Sequence, residues 1–214
     1  MGLFSKFFAQ TRKPEGFLGK LMVGGMNGGH AKLADWGMSH LAVINPARIA
    51  DLGCGGGRNA GELLKRYPRA KLSALDYSEI SVEKTKDTNK AFIEAGRCAV
   101  VQGDVAALPF EDAAFDLATA FETVYFWQGL EKCFSEVFRV LNGGGTFLIC
   151  NESDGVDEAS LKYERMIDGM KCHTIERLAA ALKAAGFSEV IADHHPSKPW
   201  ITVLAKKAVD TAEE

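Results

Sequence analysis

The sequence predicts a doubly wound α/β fold, a mostly parallel sheet with helices on both faces. Three observations carry this. From Ala47 onward, short β-rich runs alternate with helical patterns. A glycine-rich turn joins the first run to the first helix of that series. The chain has 214 residues, 47% of them hydrophobic and 25% charged, as in a soluble globular domain with a large core.

The elements follow in order. Ala47–Leu52 reads as the first strand, and Asn59–Tyr67 as a helix stopped by Pro68. Lys71–Leu75 is the second strand, followed by a helix through Ile80–Ala95 that Gly96 ends. Cys98–Gln102 and Phe115–Phe121 are the third and fourth strands. Leu130–Leu141 is a helix leaving through Gly143–Gly145 into a fifth strand, Thr146–Cys150. Ile175–Ala185 is a helix closed by Gly186, and Ser188–Ala192 and Trp200–Ala205 complete seven strands.

Two segments break the alternation. Phe17–Ile44 looks helical, but four glycines within Gly24–Gly29 make one continuous helix improbable, each costing roughly 1 kcal/mol relative to alanine. Two helices meeting at a flexible corner fit better. Asn151–Lys171 is irregular and follows the fifth strand. Both segments are expected outside the sheet, as parts of a cap. The expected organisation is residues 1–44 as a helical cap or lid, 45–207 as the sheet-centred domain and 208–214 as a tail.

Composition narrows the function. A net charge of −3 argues against a protein that grips nucleic acid with a broad basic face. No apolar run approaches the ~20 residues of a membrane span. The first residues, with Phe4, Phe7 and Phe8 beside Lys6, Arg12 and Lys13, lack the order of charge, apolar stretch and cleavage site of a secretory signal. Lys6 stands where a myristoylation signal needs Ser or Thr. A short amphipathic helix packed on the domain is the preferred reading of this segment. Cys54, Cys98, Cys133, Cys150 and Cys172 are scattered, odd in number and free of any C-x-x-C, which points to a reducing, cytoplasmic setting.

The chemistry concentrates at strand ends. Asp51 leaves the first strand into Gly53, Cys54, Gly55, Gly56 and Gly57, a turn that enters a helix at Arg58 and Asn59. Such glycines let a ligand approach the main chain, and a helix start offers N–H groups. The dinucleotide pattern G-x-G-x-x-G fails at Arg58 counted from Gly53, and at Ala60 counted from Gly55. That favours an adenosine ligand without a diphosphate over a nicotinamide cofactor. Asp76, followed by Tyr77 and Ser78, ends the second strand, where an acid can accept bonds from ribose hydroxyls. Ser78 is also a good helix cap. Asp104 and Val105 follow the third strand, placed to meet an adenine amino group and ring.

As an ordered set, ADLGCGGGRN (50–59), LDYS (75–78), GDVAALPFEDAAFDLA (103–118) and RVLNGGGTFLI (139–149) resemble the class I S-adenosylmethionine-dependent methyltransferase family. The resemblance continues into LAAALKAAGF and ITVLAKK. It implies a seven-stranded Rossmann-like sheet whose last strand runs antiparallel beside the fifth. It further implies that Asp51, Gly53 and Gly55 hold the methionine part of S-adenosyl-L-methionine, Asp76 the ribose and Asp104 the adenine, with S-adenosyl-L-homocysteine as product. Cys54 is then a small packing residue of the loop.

Beyond the fourth strand, Phe121, Glu122, Tyr125, Phe126 and Trp127 fall where ligands bind in open α/β sheets. Glu122 is a candidate for the cofactor's amino group or an acceptor's proton, Tyr125 is a further catalytic candidate, and Tyr125 and Trp127 are candidates for the pocket wall and acceptor contact. Asn27, His30 and Trp36, near the glycine corner, are expected in a lid, with His30 as a candidate base and Asn27 and Trp36 as candidates for acceptor contact. Glu152 is a candidate for acceptor contact. Adjacent His194 and His195 point to opposite strand faces, so no metal is expected there, and none elsewhere. The acceptor is expected to be a small molecule, with no nucleic-acid or membrane partner and an open oligomeric state. A cofactor-binding protein without turnover and a nicotinamide-dependent oxidoreductase are the rival readings.

Overall fold

A computed structural model describes residues 30–41 and 44–209. Seven strands form one sheet: β1 Arg48–Leu52, β2 Lys71–Asp76, β3 Cys98–Gln102, β4 Phe115–Phe121, β5 Leu141–Asn151, β6 Glu189–His194 and β7 Ile201–Lys206. Their order is β3-β2-β1-β4-β5-β7-β6. β7 pairs antiparallel with both β5 and β6, and the other pairings are parallel. The antiparallel strand therefore sits beside the fifth, as the family resemblance implies. The order reverses between β1 and β4, which opens a crevice at their carboxyl ends.

The helices among the described residues are α1 Ala31–Ser39, α2 Arg58–Arg66, α3 Glu79–Thr88, α4 Lys90–Glu94, α5 Leu130–Val140, α6 Glu158–Met166 and α7 Ile175–Ala184. Central strands bury both faces, so alternate residues feed two cores. Ile49, Leu117, Leu148 and Cys150 join one with Leu63 and Leu64 of α2. Ala50, Ala118, Phe147 and Ile149 join the other with Phe134 of α5 and Leu182 of α7.

Sequence and structure differ at three places. The helix expected over Ile80–Ala95 breaks at Asn89, whose side chain turns inward to bond other backbone groups. The fifth strand begins at Leu141, five residues before the expected Thr146, because pairing with β4 resumes across a register shift through the glycines. The irregular segment Asn151–Lys171 contains α6, which buries none of its residues. Of the cap, α1 is the helix expected after the glycine corner; the corner itself, with Asn27, lies outside the described residues. α1 lies on the sheet because Gly37 has no side chain: a Cβ there would stand 2.6 Å from Cys150 Sγ.

Candidate functional site

The first wall of the site is backbone. Gly53 and Cys54 N–H groups both donate to Leu75 O, at 2.7 and 3.0 Å, tying the β1 turn to β2. Gly53 has φ +78°, and a Cβ on it would overlap the Thr123 side chain, so conformation and space both require glycine. The carbonyls of the turn are gripped from behind by α3 and the residue after it. Thr85 Oγ1 donates to Gly55 O at 2.9 Å, Thr88 Oγ1 to Gly56 O at 2.8 Å and Asn89 Nδ2 to Gly57 O at 2.8 Å. Asp76 holds the front: Oδ2 accepts from Gly55 N and Oδ1 from Ser78 N, each at 2.9 Å.

This wall opens onto one cavity. Gly53, Cys54, Gly55, Asn59, Asp76 and Tyr77 line it from the β1 and β2 ends. Asp104 and Val105 line it from the β3 end, and Phe121, Glu122 and Trp127 from the β4 end. α1 closes over it with His30, Leu33 and Ala34. α1 is also linked to α2 through Arg58, whose guanidinium donates to Asp35 Oδ1 at 2.7 Å.

The acidic groups of this region are held away from their ordinary state. Burial pushes the Asp51 carboxyl up to about 7, opposed by the Thr119 hydroxyl it accepts at 2.8 Å and reinforced by the charge of Asp76. Burial also raises Asp76, against the Ser78 and Gly55 N–H bonds. Glu122 is pushed up to about 8, first by burial and then by the charge of Glu152, although the Glu152 N–H and Tyr125 hydroxyl bonds oppose the rise. The buried Asp76 and the partly buried Glu122 in the wall, with the buried Asp51 beneath it, make this region receptive to a cation.

Glu122 is the strained member. Its φ of +60° is rare outside glycine and is held by its own N–H donating to Cys150 O at 2.9 Å. Its Oε1 accepts from the Tyr125 hydroxyl at 3.1 Å and from the Glu152 N–H. The Tyr125 hydroxyl in turn accepts from Ser153 N at 3.0 Å. Glu122 Oε2 faces His30 Nδ1 at 3.5 Å, and Glu152 Oε2 lies 3.5 Å from the same nitrogen.

Several expected site residues lie elsewhere. Trp36 is not in the cavity: it falls on the side of α1 that packs on His40, His195 and Trp200. Tyr125 stands behind the wall as a strut for Glu122, with its ring buried. Ser78 caps α3, and Asp51 lies beneath the glycine turn, with Oδ2 buried and unpartnered. Glu152 stands at the rim. The sequence missed the carbonyl grips Thr85, Thr88 and Asn89, as well as Thr119 and Thr123, because each acts across 30 or more residues. The uncharged apolar stripe of α1 was the only local signal for Leu33 and Ala34. No metal was expected; His30, Glu122 and Glu152 nevertheless converge from three separate elements, with one possible ligand atom of each within 4.8 Å of the others.

A family profile described as "Methyltransferase domain" matches residues 50–149. The chain is 28% identical over 172 residues to malonyl-[acyl-carrier protein] O-methyltransferase of Geobacter sulfurreducens, covering 73% of this chain and 63% of that protein. It is 29% identical over 165 residues to a sterol 24-C-methyltransferase of Saccharomyces cerevisiae, covering 71% of this chain and 43% of that protein. The matched part of the chain thus spans about two-fifths to three-fifths of the length of these relatives. In fold it is similar to geranyl diphosphate C-methyltransferase from Streptomyces coelicolor, solved with Mg2+, geranyl diphosphate and S-adenosyl-L-homocysteine. There the TM-score is 0.70 at 14% identity, over 84% of this chain and 81% of that one.

Proposed function

We propose, from the match of a methyltransferase-domain profile to residues 50–149, that the chain is a class I S-adenosylmethionine-dependent methyltransferase that methylates a small-molecule acceptor. The observation that carries this reading is the convergence of the glycine turn, Asp76 and Asp104 with Glu122 and His30 on a single cavity. The family's cofactor is S-adenosyl-L-methionine, and the residues present fit it. Gly55 faces open space, with nothing within 4 Å of a Cβ built there. Asp76, buried and already accepting two N–H bonds, retains lone pairs for ribose hydroxyls. Asp104, exposed at the end of β3, uses Oδ1 to fix its own turn through Ala106 N at 2.8 Å and stands where an adenine amino group would lie.

When bound, that cofactor supplies a methyl group already activated on a sulfonium, so the chain's task is alignment. Fixing two reactants in a near-attack arrangement can lower a barrier by roughly 7–11 kcal/mol. Gly53, Gly55 and Asp51 would set the methionyl end. Phe121, Phe126 and Trp127 exclude water beside it, Trp127 held by its indole N–H donating to Thr123 Oγ1 at 3.2 Å. Glu122 and His30 line the cavity on the acceptor side. Of the expected cap over residues 1–44, α1 roofs the cavity, and residues 45–207 serve as the cofactor-binding domain; residues 1–29 and 210–214 lie outside the described residues.

No helix among the described residues is long and apolar enough to cross a membrane. Five free buried thiols fit a cytoplasmic setting.

Calorimetric titration with S-adenosyl-L-methionine, S-adenosyl-L-homocysteine and NAD tests the cofactor. Saturable binding of the first two and none of NAD is expected; the reverse would make the protein an oxidoreductase. Transfer of labelled methyl from the cofactor to components of a metabolite extract tests turnover. Tight binding with no labelled product would leave a binder without catalysis. His30→Ala is expected to lower turnover more than cofactor affinity.

A further inference from the structure

The cluster at the rim of the cavity has the construction of a metal site. His30 Nδ1 comes from the residue that starts α1, Glu122 Oε2 from the end of β4 and Glu152 Oε2 from the end of β5. All three atoms lie within 4.8 Å of one another, and the nitrogen is 3.5 Å from each oxygen. With ligand bonds of about 2.1 Å, two donors on one tetrahedral ion stand ~3.4 Å apart, so an ion fits between them with little movement.

A second observation is independent of the spacing. The inward-facing oxygen of Glu122 is aimed by partners that occupy the other oxygen. Oε1 accepts from the Tyr125 hydroxyl and the Glu152 N–H, while the Tyr125 hydroxyl is itself fixed by Ser153 N–H. Tyr125 is buried, and its ring has no place in the cavity wall, so its hydroxyl serves to orient this carboxylate. Outer partners of this kind orient the ligands of metal sites. The backbone strain at Glu122 adds to the pattern: a φ of +60° is maintained where glycine would have been easier, and its effect is to turn a carboxylate towards His30. A hydrogen-bonded ion pair would need one carboxylate; here two converge on one imidazole nitrogen.

We propose that His30, Glu122 and Glu152 bind one divalent transition-metal ion, of the zinc or manganese class, at the acceptor end of the cavity. One imidazole with two carboxylates suits those ions better than calcium or magnesium, which prefer all-oxygen shells. His30 and Glu122 line the cavity and Glu152 stands at its rim, so coordination positions left open by the protein face the space assigned to the acceptor. The ion would there take an oxygen of the acceptor and fix its orientation. This last step rests on the methyl-transfer reading; the ion site itself does not.

The experiment is titration of metal-stripped full-length protein with Mn2+, followed by electron paramagnetic resonance, and with Zn2+ by calorimetry. One equivalent of tight binding is expected in the wild type, weakened at least tenfold in Glu152→Gln and in His30→Ala. His194→Ala should leave it unchanged, since His194 is exposed and already bonded to Asp154 at 3.1 Å. Tyr125→Phe should weaken it less than the ligand variants, through loss of orientation alone. Circular dichroism of each variant checks folding, and Glu152→Gln, at an exposed side chain, is the variant least exposed to misfolding. Absence of one-equivalent binding in the wild type overturns the proposal, as does binding that Glu152→Gln and His30→Ala leave intact. Binding of S-adenosyl-L-methionine in the presence of a chelator is measured in parallel. If it is retained while metal binding is absent, the ion site alone has failed; if it is absent while metal binds, the methyl-transfer reading has failed.

Discussion

Around Gly53–Gly57 the cavity wall is main chain clamped from behind by Thr85, Thr88 and Asn89. Around Glu122 it is side chain held by Tyr125 and the amides of Glu152 and Ser153. The two ends therefore recognise ligands by different means. A backbone wall presents fixed dipoles and depends on the absence of Cβ atoms more than on side-chain identity. A side-chain wall can be changed residue by residue without disturbing the sheet. On the proposed reading, the first end meets a cofactor that is the same in every turnover, and the second meets the acceptor. That division accords with relatives whose names give acceptors as unlike as malonyl-[acyl-carrier protein] and a sterol.

The largest effect expected at the backbone end is that of Gly53→Ala. The new Cβ would overlap the Thr123 side chain, in a conformation of φ +78° that alanine rarely adopts. The turn must shift, and the N–H groups it presents shift with it. Affinity for S-adenosyl-L-methionine, measured by calorimetry, should fall by ~100-fold or more, the scale of lost binding-site geometry. A variant that binds normally would show that the turn does not set the cofactor's position, and the contrast between the two ends would collapse.

Next in size is the buried acid beneath that turn. Asp51 has an ordinary carboxyl pKa near 3.8 when unfolded and about 7 in the fold. The folded state then binds more protons between those values, so stability is fully present below pH ~4 and is lost as pH rises towards 7. Asp51→Asn removes the titration while keeping an acceptor for the Thr119 hydroxyl. At pH 8, without ligand, it should be more stable than wild type by on the order of 2 kcal/mol, less than the full shift implies because Asp76 is coupled to it. The two proteins should converge at pH 4. Urea denaturation at both pH values measures this, and equal slopes in the two proteins would remove Asp51 as the source. Cofactor affinity should fall in the same variant, since a cationic ligand is what the ionised acid awaits.

The legibility of the site in the sequence follows the same division. The strand alternation, the glycine turn and the acids Asp51, Asp76 and Asp104 are local features with fixed spacing, and all were readable. So was the reversal between β1 and β4 that places a crevice there. What could not be read acts across the fold. Tyr125 and Trp36 are aromatic residues near the right strand end or cap, yet the side of the element on which each falls sends one behind the wall and the other to His195 and Trp200. The proposed ligand cluster His30, Glu122 and Glu152 spans 122 positions of chain and has no spacing signature at all.

The smallest effect expected is also the one that tests whether the backbone wall needs its clamp. Asn89 is buried, and its Nδ2 donates to Gly57 O at 2.8 Å and to Thr85 O at 3.1 Å, which is why the helix breaks there. Asn89→Ala deletes both bonds and leaves two carbonyls in search of water, a loss of about 1 kcal/mol per bond. Cofactor affinity should drop about fivefold, equivalent on the binding scale to the one bond that reaches the turn, at Gly57 O, while the rate at saturating cofactor stays unchanged, because the acceptor end is built from other segments. Asn89→Asp is the sharper variant. It keeps size and shape but sets carboxylate oxygens against the Gly57 and Thr85 carbonyls, so it should be worse than alanine. If Asp and Ala prove equal, the side chain acts only as filler in the helix break and the turn holds its shape unaided. If Asp is worse and the rate alone falls, the two ends are coupled, and Glu122 feels the loop through Thr123 and Gly53.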